Sequence, residues 1–289
     1  MIITSAEQLR NLTGSYYANN DFEKIRSTLM AVEYELRTTL GMDTLEGLEG
    51  EALQAAQQAV AYMATMRFYR LNDISHETMG RKVKIDKENE ARPFEWQLAR
   101  DDRMHLEEYY RALDRLIDLL QDDADFQETR IWQRQQRLIV KDADSLSYLT
   151  GADPSPWLYV RLTPYLDESQ RFVLKAYGGP LPEETEENGE ILHAARMAVS
   201  LGAIALMGRR TSLQTMPYGL MKIFESDGGG NRMEQAAIDR LDDYLKHLSG
   251  EQRYWLEEMK HLRDQADGKE LPTHLQMPEN APHDKFMRL

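Results

Sequence analysis

Apolar side chains recur at spacings of three and four along most of this chain, the period of helices that bury one face. Phe22, Ile25, Leu29, Val32, Leu36 and Leu40 form one stripe, with Asp21 placed to cap its start and Gly41 to end it in the left-handed position that favours glycine. Tyr109, Tyr110, Leu113, Leu116, Ile117 and Leu120 form another, on a helix predicted from about 95 to 121. Between them, from about 51 to 71, the apolar residues are small: Ala55, Ala56, Ala59, Ala61 and Ala64 predict a helix that a neighbour approaches closely. A short first helix is expected behind Ser5, ending at Leu12 before Thr13-Gly14-Ser15. Arg81 to Asp86 alternate polar and β-branched residues, which with the polar run up to Pro93 predicts an exposed β-hairpin at about 81–96. Asp122, Asp123 and Asp125 break the helical period, an amphipathic piece follows over 126–140, and the turn-rich stretch 141–156 is the best boundary in the chain.

Beyond that boundary the same order returns. The segment 55–85 laid over 194–224 without a gap keeps seven identities, Ala55/Ala194, Ala56/Ala195, Ala59/Ala198, Val60/Val199, Ala64/Ala203, Arg70/Arg209 and Gly80/Gly219. Each copy reads as an alanine-rich helix, a basic turn, a glycine and a short apolar run suited to a strand. The preceding stripe returns as Tyr159, Leu162, Leu166, Val173, Tyr177 and Gly178 in the places of Phe22, Ile25, Leu29, Leu36, Leu40 and Gly41. Ser169 stands in place of Val32, and Pro164 is expected to kink or restart the helix. The following stripe returns as Ala237, Ile238, Leu241, Tyr244, Leu245 and Leu248, behind the linker-like Gly228-Gly229-Gly230. It stands closer to its alanine helix than the first stripe does, by about the length from Asp86 to Trp96, so the first half carries an insertion, the hairpin, that the second lacks. A last helix over 251–266 follows, then a proline-containing tail, 267–289, expected to be extended. The expectation is therefore a mainly α protein of two tandem, similar helical units, 1–150 with the hairpin and 151–266, plus the tail. Compositional likeness between two buried small-residue helices is the alternative.

Composition narrows the function classes. The 289 residues, 42% hydrophobic, are enough for one large core or two ordinary ones. With 35 Lys+Arg against 49 Asp+Glu, a formal charge of −14 disfavours binding nucleic acid through phosphate neutralisation. No cysteine means no disulfide, thiol or cysteine–zinc chemistry. The opening Met1 to Glu7 has no basic start or apolar core, so no secretion is expected. The apolar stretch 191–207 includes His193 and Arg196 and falls short of the roughly 20 residues a spanning helix needs, so a buried helix and no membrane partner are expected.

Candidate chemistry is sparse. Two Glu-x-x-His steps, Glu190 with His193 and Glu258 with His261, each put a carboxylate and an imidazole on one helical face, the arrangement by which four-helix bundles hold a di-metal centre. Both steps fall in the second half, and Glu258 and His261 flank rather than join the Trp255, Met259, Leu262 stripe, which favours solvated side chains. Arg67, Arg70, Arg81 and Lys82 beside Phe68 and Tyr69, with Arg209 and Arg210 in the second copy, suggest either a small nucleic-acid patch or cations neutralising helix C-termini, the second being favoured. Phosphate-loop and nucleophile-elbow patterns are absent. No catalytic, cofactor-binding or metal residues are assigned, and no enzyme is expected.

Each half, with a stripe helix ending in Leu40-Gly41 or Tyr177-Gly178 and then a helix such as Ala59-Val60-Ala61-Tyr62-Met63-Ala64 to Tyr69-Arg70, resembles the small α-helical head–tail connector proteins of tailed phages. The run Arg92-Pro93-Phe94-Glu95-Trp96-Gln97-Leu98, with the opening Met1 to Leu12, resembles a family encoded by Bacteroidetes phages and prophages that has no known active site. The resemblance implies a virion protein of the phage neck: a homo-oligomeric ring docked to the portal and to adjacent neck or tail proteins, through which DNA passes without sequence-specific binding. An acidic wall suits that passage, because it avoids the counterion-release attraction that would hold DNA in place. A non-viral helical scaffold that binds another protein, or a di-metal bundle enzyme, are the alternatives.

Overall fold

The computed structural model describes residues 1–14, 22–43, 45–72, 75–77, 80–82, 95–151, 154–210 and 230–268. The protein is mainly α-helical. Ten helices are described: α1 (Ala6–Thr13), α2 (Phe22–Leu40), α3 (Gly50–Asn72), α4 (Glu95–Leu120), α5 (Ala124–Gln127), α6 (Arg130–Gln135), α7 (Ala143–Thr150), α8 (Pro156–Tyr177), α9 (Gly189–Arg210) and α10 (Gly230–Ala266). Two three-residue strands, β1 (Ser75–Glu77) and β2 (Gly80–Lys82), pair antiparallel with Ser75 opposite Lys82.

The first core is built where α3 lies between α2 and α4. The α2 stripe is buried from Ile25 to Leu40, and α4 contributes Leu113, Leu116, Ile117 and Leu120. Because α3 meets both neighbours through alanines, Ala55, Ala56, Ala59 and Ala64 are fully buried. The N-terminal segment also belongs here: Ile2 and Ile3 are buried, and Gln57 Nε2 donates to the Ile2 carbonyl at 2.8 Å. The second core is built where α9 lies between α8 and α10. Ala194, Ala195, Ala198, Val199 and Ala203 of α9 are buried, as are the residues of α3 aligned with them. Gly41 at φ 71° and Gly178 at φ 95° end α2 and α8 in the same left-handed conformation.

Helix α8 is shared. Trp157 and Val160 join the first core, while Tyr159, Leu162, Leu166 and Val173 join the second. The joint is capped across the boundary, since the Asp114 carboxylate of α4 accepts from Ser155 Oγ at 2.8 Å and from the Trp157 amide at 2.9 Å.

Several expectations need correction. Of the two outcomes expected at Pro164, the restart does not occur, because α8 runs through it from Pro156 to Tyr177, forgoing the amide that would bond Val160. The helix expected over 251–266 is continuous with the one before it, as Gly250 sits inside α10 and Ser249 Oγ returns its proton to the Leu245 carbonyl. The turn-rich boundary contains a helix, α7, with Asp142 as N-cap and Gly151 at φ 68° as C-cap. The hairpin is not where the alternating residues placed it. The β1–β2 pairing precedes 81–96 except at Arg81 and Lys82, Glu95 and Trp96 are already helical, and 83–94 lie outside the described residues. Part of the additional length of the first half is helix: α4 begins at Glu95, several turns ahead of Tyr109, whereas α10 begins at Gly230, much nearer to Ala237. The apolar run 221–224, Gly219 and the tail from 269 also lie outside the described residues.

Candidate functional site

The helices converge on a cleft of about 470 Å³ at the joint between the two cores. Its walls come from the C-terminal turns of α4 (Asp114, Asp118) and Gln121 just beyond, from α6 (Trp132, Gln135), from the N-cap and first turn of α7 (Asp142, Asp144) and from Pro154, Pro156 and Tyr159 ahead of and within α8. Four carboxylates and one ammonium, Lys141, give it a negative character.

Most of these groups already have structural work. Asp114 is half-buried, which raises its carboxyl above the ordinary 3.8, and the bonds from Trp157 and Ser155 pull the other way. Asp118 is raised chiefly by burial and then by neighbouring Asp144. Asp142 caps α7 by accepting from the Ser145 amide at 2.7 Å, and Lys141 Nζ donates to the Gln136 carbonyl. Tyr159 donates to the Val140 carbonyl at 2.8 Å, and burial pushes its phenol well above the ordinary range. Gln135 Nε2 donates to Thr163 Oγ1, whose own proton goes to the Tyr159 carbonyl. The cleft holds no histidine and no hydroxyl paired with a base among the described residues, so its arrangement is that of a braced joint with a concave acidic surface.

The residues singled out from sequence do not assemble into a site. Glu190, His193 and His261 are exposed, Glu258 is half-exposed, and no group of three or more His, Asp or Glu suited to a metal exists among the described residues. His193 instead stands edge-on to Trp255. Three of the basic residues are matched by carboxylates of neighbouring helices: Arg67 holds Glu35 of α2 through both nitrogens at 2.8 and 2.7 Å, Arg70 holds Asp102 of α4, and Arg210 holds Glu168 of α8, while the side chains of Arg81 and Lys82 lie outside what is described. Arg209 donates to Ser249 Oγ. These cations brace helix to helix, a use distinct from both readings given by sequence. The apolar stretch 191–207 lies within α9, the one described helix long and apolar enough to cross a membrane; its most apolar window is 72% buried against the rest of the fold.

Sequence reasoning missed Asp114. Its position inside the Leu113, Leu116, Ile117 stripe is the signal, because a carboxylate there must find donors. It also missed His105, 7% exposed, whose ring sits edge-on to Tyr62 with Nδ1 3.0 Å from the Asp101 carbonyl. The chain matches no protein-family model, and no curated protein or solved structure matches it.

Proposed function

We propose that this is a structural, non-enzymatic protein: a head–tail connector that forms a homo-oligomeric ring at the neck of a tailed phage, with the portal above it and DNA passing through. The supporting observation is that α3 and α9, aligned with Ala55 on Ala194, bury alanine or valine at five matched positions and each lies between two other helices of its core. On this reading the chain is a tandem pair of connector-like units, and the short β1–β2 pairing belongs to the segment joining α3 to α4 in the first. The braced, acidic joint cleft and the formal charge of −14 fit a wall past which DNA slides. The sequence resemblance set out above supplies the phage context.

Two observations test the proposal. Neighbouring genes for portal, terminase and capsid proteins are expected. Negative-stain electron microscopy of the purified protein, alone or with its portal, is expected to show rings. A protein that stays monomeric with and without the portal, encoded away from phage genes, sinks the proposal and leaves a helical interaction scaffold in its place.

A further inference from the structure

A second, smaller pocket of about 270 Å³ opens on the other side of α6, between α6, α8 and the C-terminal turn of α2. In an acidic chain its chemistry is unusual, because Arg134 of α6 and Arg161 of α8 both line it, together with Tyr165. Neither arginine forms an ion pair or a side-chain hydrogen bond among the described residues, unlike Arg67, Arg70 and Arg210. Two threonines complete the wall, but their protons are committed. Thr39 Oγ1 donates to the Glu35 carbonyl and Thr163 Oγ1 to the Tyr159 carbonyl. The donors left for a guest are therefore two guanidinium groups and one phenol, and no carboxylate among the described residues lines the pocket to compete for them.

We propose that this pocket binds a small phosphate-class oxyanion. Guanidinium groups favour tetrahedral and planar oxyanions through paired, charge-assisted hydrogen bonds. The choice of phosphate over carboxylate rests on Pro164. It withholds the amide that would otherwise bond the Val160 carbonyl, and both residues line the pocket. Hydrogen phosphate carries a proton to give to that carbonyl near neutral pH, and an ionised carboxylate does not. The volume holds one phosphate with a few waters, and the net charge of −14 repels a duplex backbone.

Calorimetric titration of the full chain with inorganic phosphate, acetate and a short DNA duplex tests this, alongside Arg161→Gln and Arg134→Gln. Phosphate is expected to bind saturably at about millimolar or better, and either substitution to weaken it roughly tenfold or more. Acetate is expected to bind roughly tenfold more weakly than phosphate, and the duplex not measurably. Arg134 is exposed, so its variant keeps the fold and remains informative should Arg161→Gln destabilise the joint. The proposal is overturned by no saturable phosphate binding, by binding that both substitutions leave unchanged, by acetate matching phosphate, or by the duplex outcompeting phosphate.

Discussion

The two helical cores each set an alanine-rich helix between two others, but their seams differ. In the first, Val32 on α2 and Ala61 and Met63 on the middle helix, α3, are apolar and buried. At the aligned places in the second stand Ser169 on α8, with Ser200 and Gly202 on α9. The Gly202 notch is occupied by the Gln252 amide of α10, and a Cβ placed there would also meet Ser169 Oγ at 2.5 Å. Ser169 and Ser200 hydroxyls are buried without partners, as Thr65 is in the first core. The difference teaches that an alanine-rich middle helix beside a glycine-ended one can be packed through either an apolar or a partly polar seam. Each unpaired buried hydroxyl costs about 1–3 kcal/mol, and α10 seats on α9 at two notches, Gly202 against Gln252 and Gly208 against Leu245.

The largest test of the likeness is the matched pair Leu29→Ala and Leu166→Ala, both at fully buried sites. Each is expected to cost about 2–5 kcal/mol in chemical denaturation, and a cost for one below half that of the other breaks the equivalence of the cores. The seam itself is sharpened by Ser200→Ala, which removes an unpartnered hydroxyl and is expected to stabilise by about 1 kcal/mol. The matched change in the first core, Ala61→Ser, is expected to destabilise by about as much. Equal and negligible effects on denaturation midpoints would show that the seams do not differ.

The smallest effect concerns the braces. Arg67 holds the Glu35 carboxyl below the ordinary 4.5, mainly through their hydrogen bonds. A carboxyl lowered on folding adds stability above its ordinary value and loses it as pH falls through the lowered one. Because the pair is largely exposed, Glu35→Gln is expected to cost only about 0.2–1 kcal/mol at neutral pH and low salt. The gap between wild-type and variant melting temperatures should close below pH 4.5. A gap that persists in acid would mean that packing, not charge, holds α2 to α3.

How much of this was legible depended on whether a residue's role is local. The stripes from Ile25 to Leu40 and from Leu113 to Leu120, the alanine faces and the Gly41 and Gly178 caps follow from spacing and backbone chirality, and they were read correctly. The restart allowed at Pro164 and the separate helix expected from 251 do not occur, because tertiary packing of α8 and α10 outweighs one missing bond or, at Gly250, about 1 kcal/mol of propensity. Helix α7 was passed over although Asp142 and Gly151 are ordinary capping residues at its two ends. The joint was illegible for a different reason. Asp114 with Ser155 and Arg134 with Arg161 are brought together only by the packing of α4 and α6 on α8, and no local pattern links positions so far apart in the chain.

The sharing of α8 bears on synthesis. A nascent chain that has emerged only through Thr150 contains all of α2, α3 and α4, yet its first core still lacks Trp157 and Val160 and the capping partner of Asp114. That half is completed only once the first turns of α8 have left the ribosome, so its last packing step is expected to wait for the start of the second half.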